Sequence, residues 1–152
     1  MKVIFLDIDG VLASYDYIRI TSLLKEKYPD KHGYSFDPRC VKVLRWLLEE
    51  CPEVKIVITS TWKGMGLTKL LDMWKTRDLP GEVIGVTPEL PGKRGKEIAA
   101  WLSKYPNPVD EYVIVDDDTD MLEGQLSNFV KTDPMFGLTV DDCNKVIKIL
   151  GR

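Results

Sequence analysis

The stretch Val3-Ile4-Phe5-Leu6-Asp7-Ile8-Asp9-Gly10-Val11-Leu12 decides how this chain is read. Four apolar residues, two of them β-branched, predict a buried strand. The strand runs into a carboxylate, a spacer, a second carboxylate and a glycine. Strand side chains alternate faces, so Asp7 and Asp9 point the same way while the extended geometry lasts. Gly10 lets the chain turn where other residues resist. Two acids are thus expected at the carboxyl end of a central strand, where open α/β sheets bind ligands. Like charges placed against a core call for a cation or a reaction, and we read the start of a magnesium-dependent phosphoryl-transfer site. Asp-x-Asp-Gly turns can be purely structural, and calcium loops share the spacing. A calcium loop does not follow a buried strand, however, and the later glutamate it needs is replaced here by Ile18.

Outward from this stretch, short β-rich runs alternate with helical patterns. The strand candidates are Val3–Leu6, Val54–Ile58, Val83–Val86, Tyr112–Val115 and Asn128–Lys131. Between them Val41, Leu44, Leu47 and Leu48 recur at helical spacing, as do Leu67, Leu70, Leu71 and Trp74. Ile98, Leu102 and Tyr105 give a third stripe, stopped by Pro106 and Pro108. Thr139-x-x-Asp142 opens the last helix as a variant capping box, with Val140, Cys143, Ile147 and Leu150 as its apolar face. The alternation predicts a three-layer α/β/α, Rossmann-like fold around a parallel sheet of about five strands. Residues 1–152 are expected to form one domain. Ser14 to Pro38 breaks the pattern and holds Tyr15, Tyr17, Tyr28 and Tyr34. We read residues 14–38 as a small cap insert above the sheet, with a helix near Ile18–Lys27; a helix packed on the sheet edge is the alternative.

A net charge of −3 gives no general reason to expect nucleic-acid binding. Three cysteines without CxxC spacing argue against a disulfide framework or a zinc knuckle. The first apolar run is broken at Asp7, which speaks against a secretory leader, and no segment has the length of a membrane span. A cytoplasmic setting is the expectation, and no protein partner is inferable.

Three further segments carry chemistry. Val54 to Ile58 ends in Thr59-Ser60-Thr61, hydroxyls that can hold phosphate oxygens at a strand end, although Ser and Thr also serve as turn and cap residues. Pro91-Gly92-Lys93-Arg94-Gly95-Lys96 sets three cations at a helix start, where the helix dipole disfavours them. Positive charge there suits the equatorial oxygens of a transferring phosphoryl group. Tyr112 to Val115 runs into Asp116, Asp117, Asp118 and Asp120. At 4 Å two unit charges repel by roughly 4 kcal/mol at an effective dielectric of 20, and crowded hard oxygen ligands favour Mg²⁺. No Gly-x-Ser-x-Gly elbow or GxxxxGK[ST] loop is present, and the single histidine, His32, leaves little material for a serine-hydrolase triad.

Acid pair, hydroxyl, cation and acid cluster, in this order at strand ends and a helix start, resemble the haloacid dehalogenase (HAD) superfamily of phosphohydrolases. VITSTWK, KRGKEIAAWL and VIVDDDTDM are most similar to small HAD proteins linked to RNA repair, to the phosphatase half of polynucleotide kinase–phosphatases and to deoxynucleotidases. The resemblance implies that Asp7 is the nucleophile, forming a transient aspartyl phosphate, and that Asp9 is the acid/base. It makes Thr59 a holder of phosphoryl oxygens, with Gly10, Ser60 and Thr61 beside it. Arg94 stands where the family often has lysine, so the basic role falls to Arg94 or Lys93. Asp116 and Asp117 would bind Mg²⁺ with the carboxylate of Asp7 and the main-chain carbonyl of Asp9, Asp118 and Asp120 being further candidates. The expected activity is that of a Mg²⁺-dependent phosphomonoesterase acting on a nucleotide or a nucleic-acid terminal phosphate. A phosphatase of a small non-nucleotide metabolite and a non-catalytic phosphate- and Mg²⁺-binding module are the alternatives.

Overall fold

The β-branched runs all enter one sheet. In a computed structural model, which describes residues 1–151, the strands are β1 (Lys2–Leu6), β2 (Val54–Ile58), β3 (Val83–Val86), β4 (Glu111–Asp116) and β5 (Phe129–Lys131). They lie in the order β3-β2-β1-β4-β5, every pair parallel. β1 is therefore central, which accounts for its unbroken apolar run: a parallel strand buried on both faces has no polar side to show. The helices are α1 (Tyr15–Leu23), α2 (Pro38–Glu50), α3 (Leu67–Thr76), α4 (Arg94–Lys104) and α5 (Val140–Leu150). Short 3₁₀ turns occupy Thr61–Met65 and Glu123–Asn128.

Strand alternation divides the core in two. Ile4, Leu6, Ile56, Ile58, Val113 and Val115 face α2, α3 and α5, while Val3, Phe5, Val57 and Ile114 face α4 and Met121. Phe5 is closed in by edge-on contacts with Trp101 of α4 (5.4 Å) and Tyr112 (5.8 Å). The sandwich is thus lopsided, with three helices on one face and α4 on the other. No helix among the described residues is long and apolar enough to cross a membrane.

Two helix faces differ from the expected ones. In α3 the buried set is Leu70, Met73 and Trp74, while Leu67 and Leu71 are exposed. In α5 it is Cys143, Val146, Ile149 and Leu150, while Val140 is half exposed. Apolar residues flank the true stripe on both helices, so periodicity alone admits a rotation of one residue. The Thr139 cap holds as expected: its hydroxyl accepts from the Asp142 N–H (3.2 Å) and the Asp142 carboxylate accepts from the Thr139 N–H (3.0 Å). The helix in the insert starts earlier than expected because Ser14 caps it, accepting from the Tyr17 N–H. It stops early as well, where Lys25 takes a left-handed conformation with φ 53°.

Candidate active site

The sheet's hydrogen-bond ladder continues one residue past the paired strands. Asp7 N–H donates to the Val115 carbonyl, Thr59 N–H to Leu6 and Thr132 N–H to Asp116, each at 3.0 Å. Since Leu6 pairs with both Ile58 and Val115, the next positions across the rim are Thr59, Asp7 and Asp116. They share the parity of Val57, Phe5 and Ile114, so they point toward the face that α4 covers. The amino end of α4 begins with Arg94. Strand register and parity bring a hydroxyl and two acids together, and the start of α4 adds a cation.

Asp7 and Asp116 are 5% and 1% exposed. With Asp117 they offer carboxylate oxygens that all lie within 4.8 Å of one another. Arg94 stands among them, its Nη1 3.2 Å from Asp7 Oδ1 and 3.0 Å from Asp116 Oδ2. One guanidinium does not balance three carboxylates. Loss of solvation, reinforced by the neighbouring Asp116 charge, pushes the Asp7 carboxyl up to about 8 against the pull of Arg94. Burial likewise raises Asp116 to about 6. Gly10, with φ 78°, lets Asp117 come in close: a Cβ there would lie 2.5 Å from Asp117 Oδ2. The excess negative charge and the hard oxygen donors fit Mg²⁺.

Arg94 is held by the acid run itself. Asp120, on the loop after β4, accepts from the Arg94 N–H through Oδ2 (3.0 Å) and from the Gly95 N–H through its carbonyl (3.1 Å), capping α4 from outside the helix. Gln125 braces the same junction by donating to the Gly95 carbonyl (2.8 Å) and accepting from the Leu122 N–H (3.0 Å). A Cβ at Gly95 would meet Gln125 Oε1 at 2.4 Å. Lys93 is exposed, so it is Arg94 that the structure brings to the acids. Asp118 is exposed, and its carboxylate accepts from the Thr119 N–H (2.7 Å).

The hydroxyl segment divides by role. Thr59 Oγ1 is buried with no hydrogen-bond partner among the described residues, an orphan donor on the rim beside Asp7. Ser60 is buried, and its hydroxyl accepts from the Trp62 N–H (3.2 Å) to cap the 3₁₀ turn. Thr61 is exposed. Lys63, to which the sequence reading gave no role, is buried and donates to Thr87 Oγ1 and the Pro88 carbonyl (3.2 Å each) while pairing with Glu97 of α4. It fastens the turn after β2 to α4.

Asp9 does not join the other acids through its side chain. The Tyr34 hydroxyl and the Trp62 indole N–H (3.1 Å) donate to its Oδ1. Tyr34 comes from the insert, and so does Tyr15, whose hydroxyl lies 3.5 Å from Asp117 Oδ2. Burial first, then the nearby acids, raise the pKa of both phenols. Trp62 packs edge-on against Tyr34 (5.0 Å) and Phe36 (5.3 Å). Sequence reasoning set Tyr34 in the 14–38 insert without its bond to Asp9, and missed Gln125 and Lys63 as parts of this rim. Only the richness of 14–38 in tyrosine signalled any of it.

A model of the family described as "HAD domain in Swiss Army Knife RNA repair proteins" matches residues 3–143. The chain belongs to this family. It is therefore a HAD domain, and a phosphohydrolase-type function follows from that membership. No curated protein matches the chain.

Proposed function

We propose that the chain is a Mg²⁺-dependent phosphomonoesterase that works through an aspartyl phosphate on Asp7. The convergence of Asp7, Asp116, Asp117 and Arg94 beside the unpartnered Thr59 hydroxyl carries this reading. Mg²⁺ held by the Asp7, Asp116 and Asp117 carboxylates, with the Asp9 main-chain carbonyl, would neutralise phosphate charge and keep Asp7 ionised. Asp7 attacks phosphorus as a carboxylate and needs no activating base. Thr59 and Arg94 hold the phosphoryl oxygens. Asp9 gives its proton to the departing ester oxygen. It then takes one from the water that hydrolyses the aspartyl phosphate.

A nucleotide or a nucleic-acid terminal phosphate is the proposed substrate, supported by the RNA-repair description of the family. Residues 14–38 act as a small cap, since Tyr15 and Tyr34 reach the acids from this segment. The setting is a reducing one such as the cytoplasm, in keeping with three unpaired buried cysteines. A binding module without turnover would have no use for Asp9 held at the site by two donors. The test is hydrolysis of p-nitrophenyl phosphate with Mg²⁺ or with EDTA, beside Asp7→Asn. Mg²⁺-dependent release abolished by Asp7→Asn is expected, and equal activity in the variant removes the nucleophile. A panel of mononucleotides and of DNA and RNA ends bearing 3′- or 5′-phosphates then identifies the ester. Uniform inactivity on every nucleotide and end would discard the nucleic-acid substrate class.

A further inference from the structure

The side chain of Asp9 is held by groups from outside its own strand. Tyr34 arrives from the insert and Trp62 from the turn after β2, and both donate to the same oxygen, Oδ1. With Oδ1 accepting from two neighbours, Oδ2 is the oxygen of Asp9 left for proton transfer.

The donors themselves are fixed. Trp62 stands at 89° to the Tyr34 ring and 69° to the Phe36 ring, wedged between them. Arg77, just past the end of α3, forks onto Asp30 through Nε (2.9 Å) and Nη2 (3.0 Å). It also donates to the carbonyls of Gly33 (3.1 Å) and Tyr34 (2.9 Å), and its guanidinium lies 4.8 Å from the Phe36 ring. The Arg77 and Asp30 side chains are 8% and 12% exposed. A forked, largely dry pair of this kind is among the stronger polar contacts a protein makes. Every donor of Arg77 used here closes on the segment that presents Tyr34.

We propose that Tyr34 and Trp62 are positioning residues for Asp9, and that Arg77 sets Tyr34 in place, so that Oδ2 is the oxygen through which Asp9 passes a proton to the leaving oxygen. This rests on the phosphomonoesterase reading above. As Asp7 forms its bond to phosphorus, the ester P–O bond breaks and its electron pair stays on the ester oxygen. That oxygen takes the Oδ2 proton and departs as the alcohol. Asp9 is left as a carboxylate, and the charge that develops on it is stabilised by the two donors already at Oδ1.

A general acid matters in proportion to the basicity of the leaving oxygen. Tyr34→Phe, Trp62→Phe and Arg77→Met are therefore compared with wild type in Mg²⁺ on p-nitrophenyl phosphate, phenyl phosphate and glycerol 2-phosphate. The quantity read is kcat/KM, which reports the steps through alcohol release. Tyr34→Phe should lose least on p-nitrophenyl phosphate and about tenfold or more on the alkyl ester, since positioned acid catalysis contributes about 10²–10⁴-fold. Arg77→Met should steepen the leaving-group dependence in the same direction, and Arg77→Lys should not rescue it, because an ammonium cannot fork. Should Arg77→Met loosen the fold in a thermal melt, Tyr34→Phe, which keeps the ring, decides the outcome. Equal losses on all three esters, or none, overturn the positioning role alone when wild-type hydrolysis is abolished by Asp7→Asn. Hydrolysis that survives Asp7→Asn overturns the aspartyl-phosphate reading with it.

Discussion

Replacing Asp116 by asparagine should stabilise the metal-free protein while removing its response to Mg²⁺. Burial raises the Asp116 carboxyl from 3.8 to about 6 in the fold, so keeping it ionised costs stability. One unit corresponds to about 1.4 kcal/mol, which sets the cost at roughly 3 kcal/mol above that pH. The sign follows from the raised value: the cost is absent below the unfolded pKa, grows as pH rises, and is complete above about 6. Asparagine keeps an acceptor for the Asp118 N–H, bonded to Oδ1 at 2.9 Å, but turns an amide donor toward Arg94, 3.0 Å from Oδ2. Losing that contact offsets about 1 kcal/mol. The net gain is about 2 kcal/mol, or about 4–8 °C in Tm for a domain of this size. Thermal and urea unfolding in EDTA at about pH 7.5 measures it, and at about pH 4 the two proteins should nearly coincide. Mg²⁺ at 100 times Kd adds about 2.7 kcal/mol to wild type and little to the variant, reversing their order. A variant less stable than wild type in EDTA at neutral pH, or stabilised equally by Mg²⁺, would refute the reasoning.

The Asp7/Asp116 pair, titrating near 8 and near 6, holds about one proton at pH 7. Mg²⁺ binding at that pH should release about one proton, read by calorimetry in buffers of different ionisation enthalpy; no buffer dependence contradicts it. Both acids are raised, so the Tm gain from Mg²⁺ should grow between about pH 5 and pH 8, and a gain that shrinks counts against the assignment. Gly95→Ala drives a Cβ toward Gln125 Oε1 (2.4 Å) and the Leu122 backbone (2.6 Å), and should cost about 1–3 kcal/mol in urea unfolding. Because the junction carries Arg94, phosphatase activity should fall further than stability explains. Thr59→Val removes a buried hydroxyl that has no partner, so it should leave the free protein as stable or up to about 1 kcal/mol more stable. The same change should weaken inhibition by inorganic phosphate by about tenfold, and unchanged inhibition would exclude Thr59 from the phosphate site.

The fold was legible because the strands are short β-branched runs with polar punctuation, and parallel burial leaves them apolar on both faces. The rim was legible for a related reason. Asp7 and Thr59 stand one residue past the last ladder pair and Asp116 closes β4, so naming the strands also named the tips. Choosing Arg94 over Lys93 needed the helix start, which depends on Asp120, an element away in sequence. Asp120 reads in one dimension as one more acid in a run, and only the packing makes it a cap. The Asp9 donors were illegible for the same reason: Tyr34 and Trp62 meet across two loops whose closure rests on Arg77 at the end of a third element. Residues that act through register can be read from pattern, whereas those that act through loop closure cannot.

The rim opposes stability to chemistry, and the surrounding contacts follow from that opposition. Asp7 and Asp116 at neutral pH disfavour the fold that brings them together, and Arg94 alone compensates them in part. Arg94 must stay in place for that compensation, so its helix start is tied down by the Asp120 cap, the Gln125 brace and the close packing at Gly95. Lys63 and Glu97 fasten α4 again from the β2 side. Most polar contacts near the acids thus run between elements, although Asp7 and Asp116 also accept locally from the Ile8 and Asp118 N–H groups. The acids repel one another, and these ties hold strand tips and helix start at the spacing that the proposed cation and phosphate would require. Cutting one should first be felt as a change in how the site binds charge, and only then as unfolding.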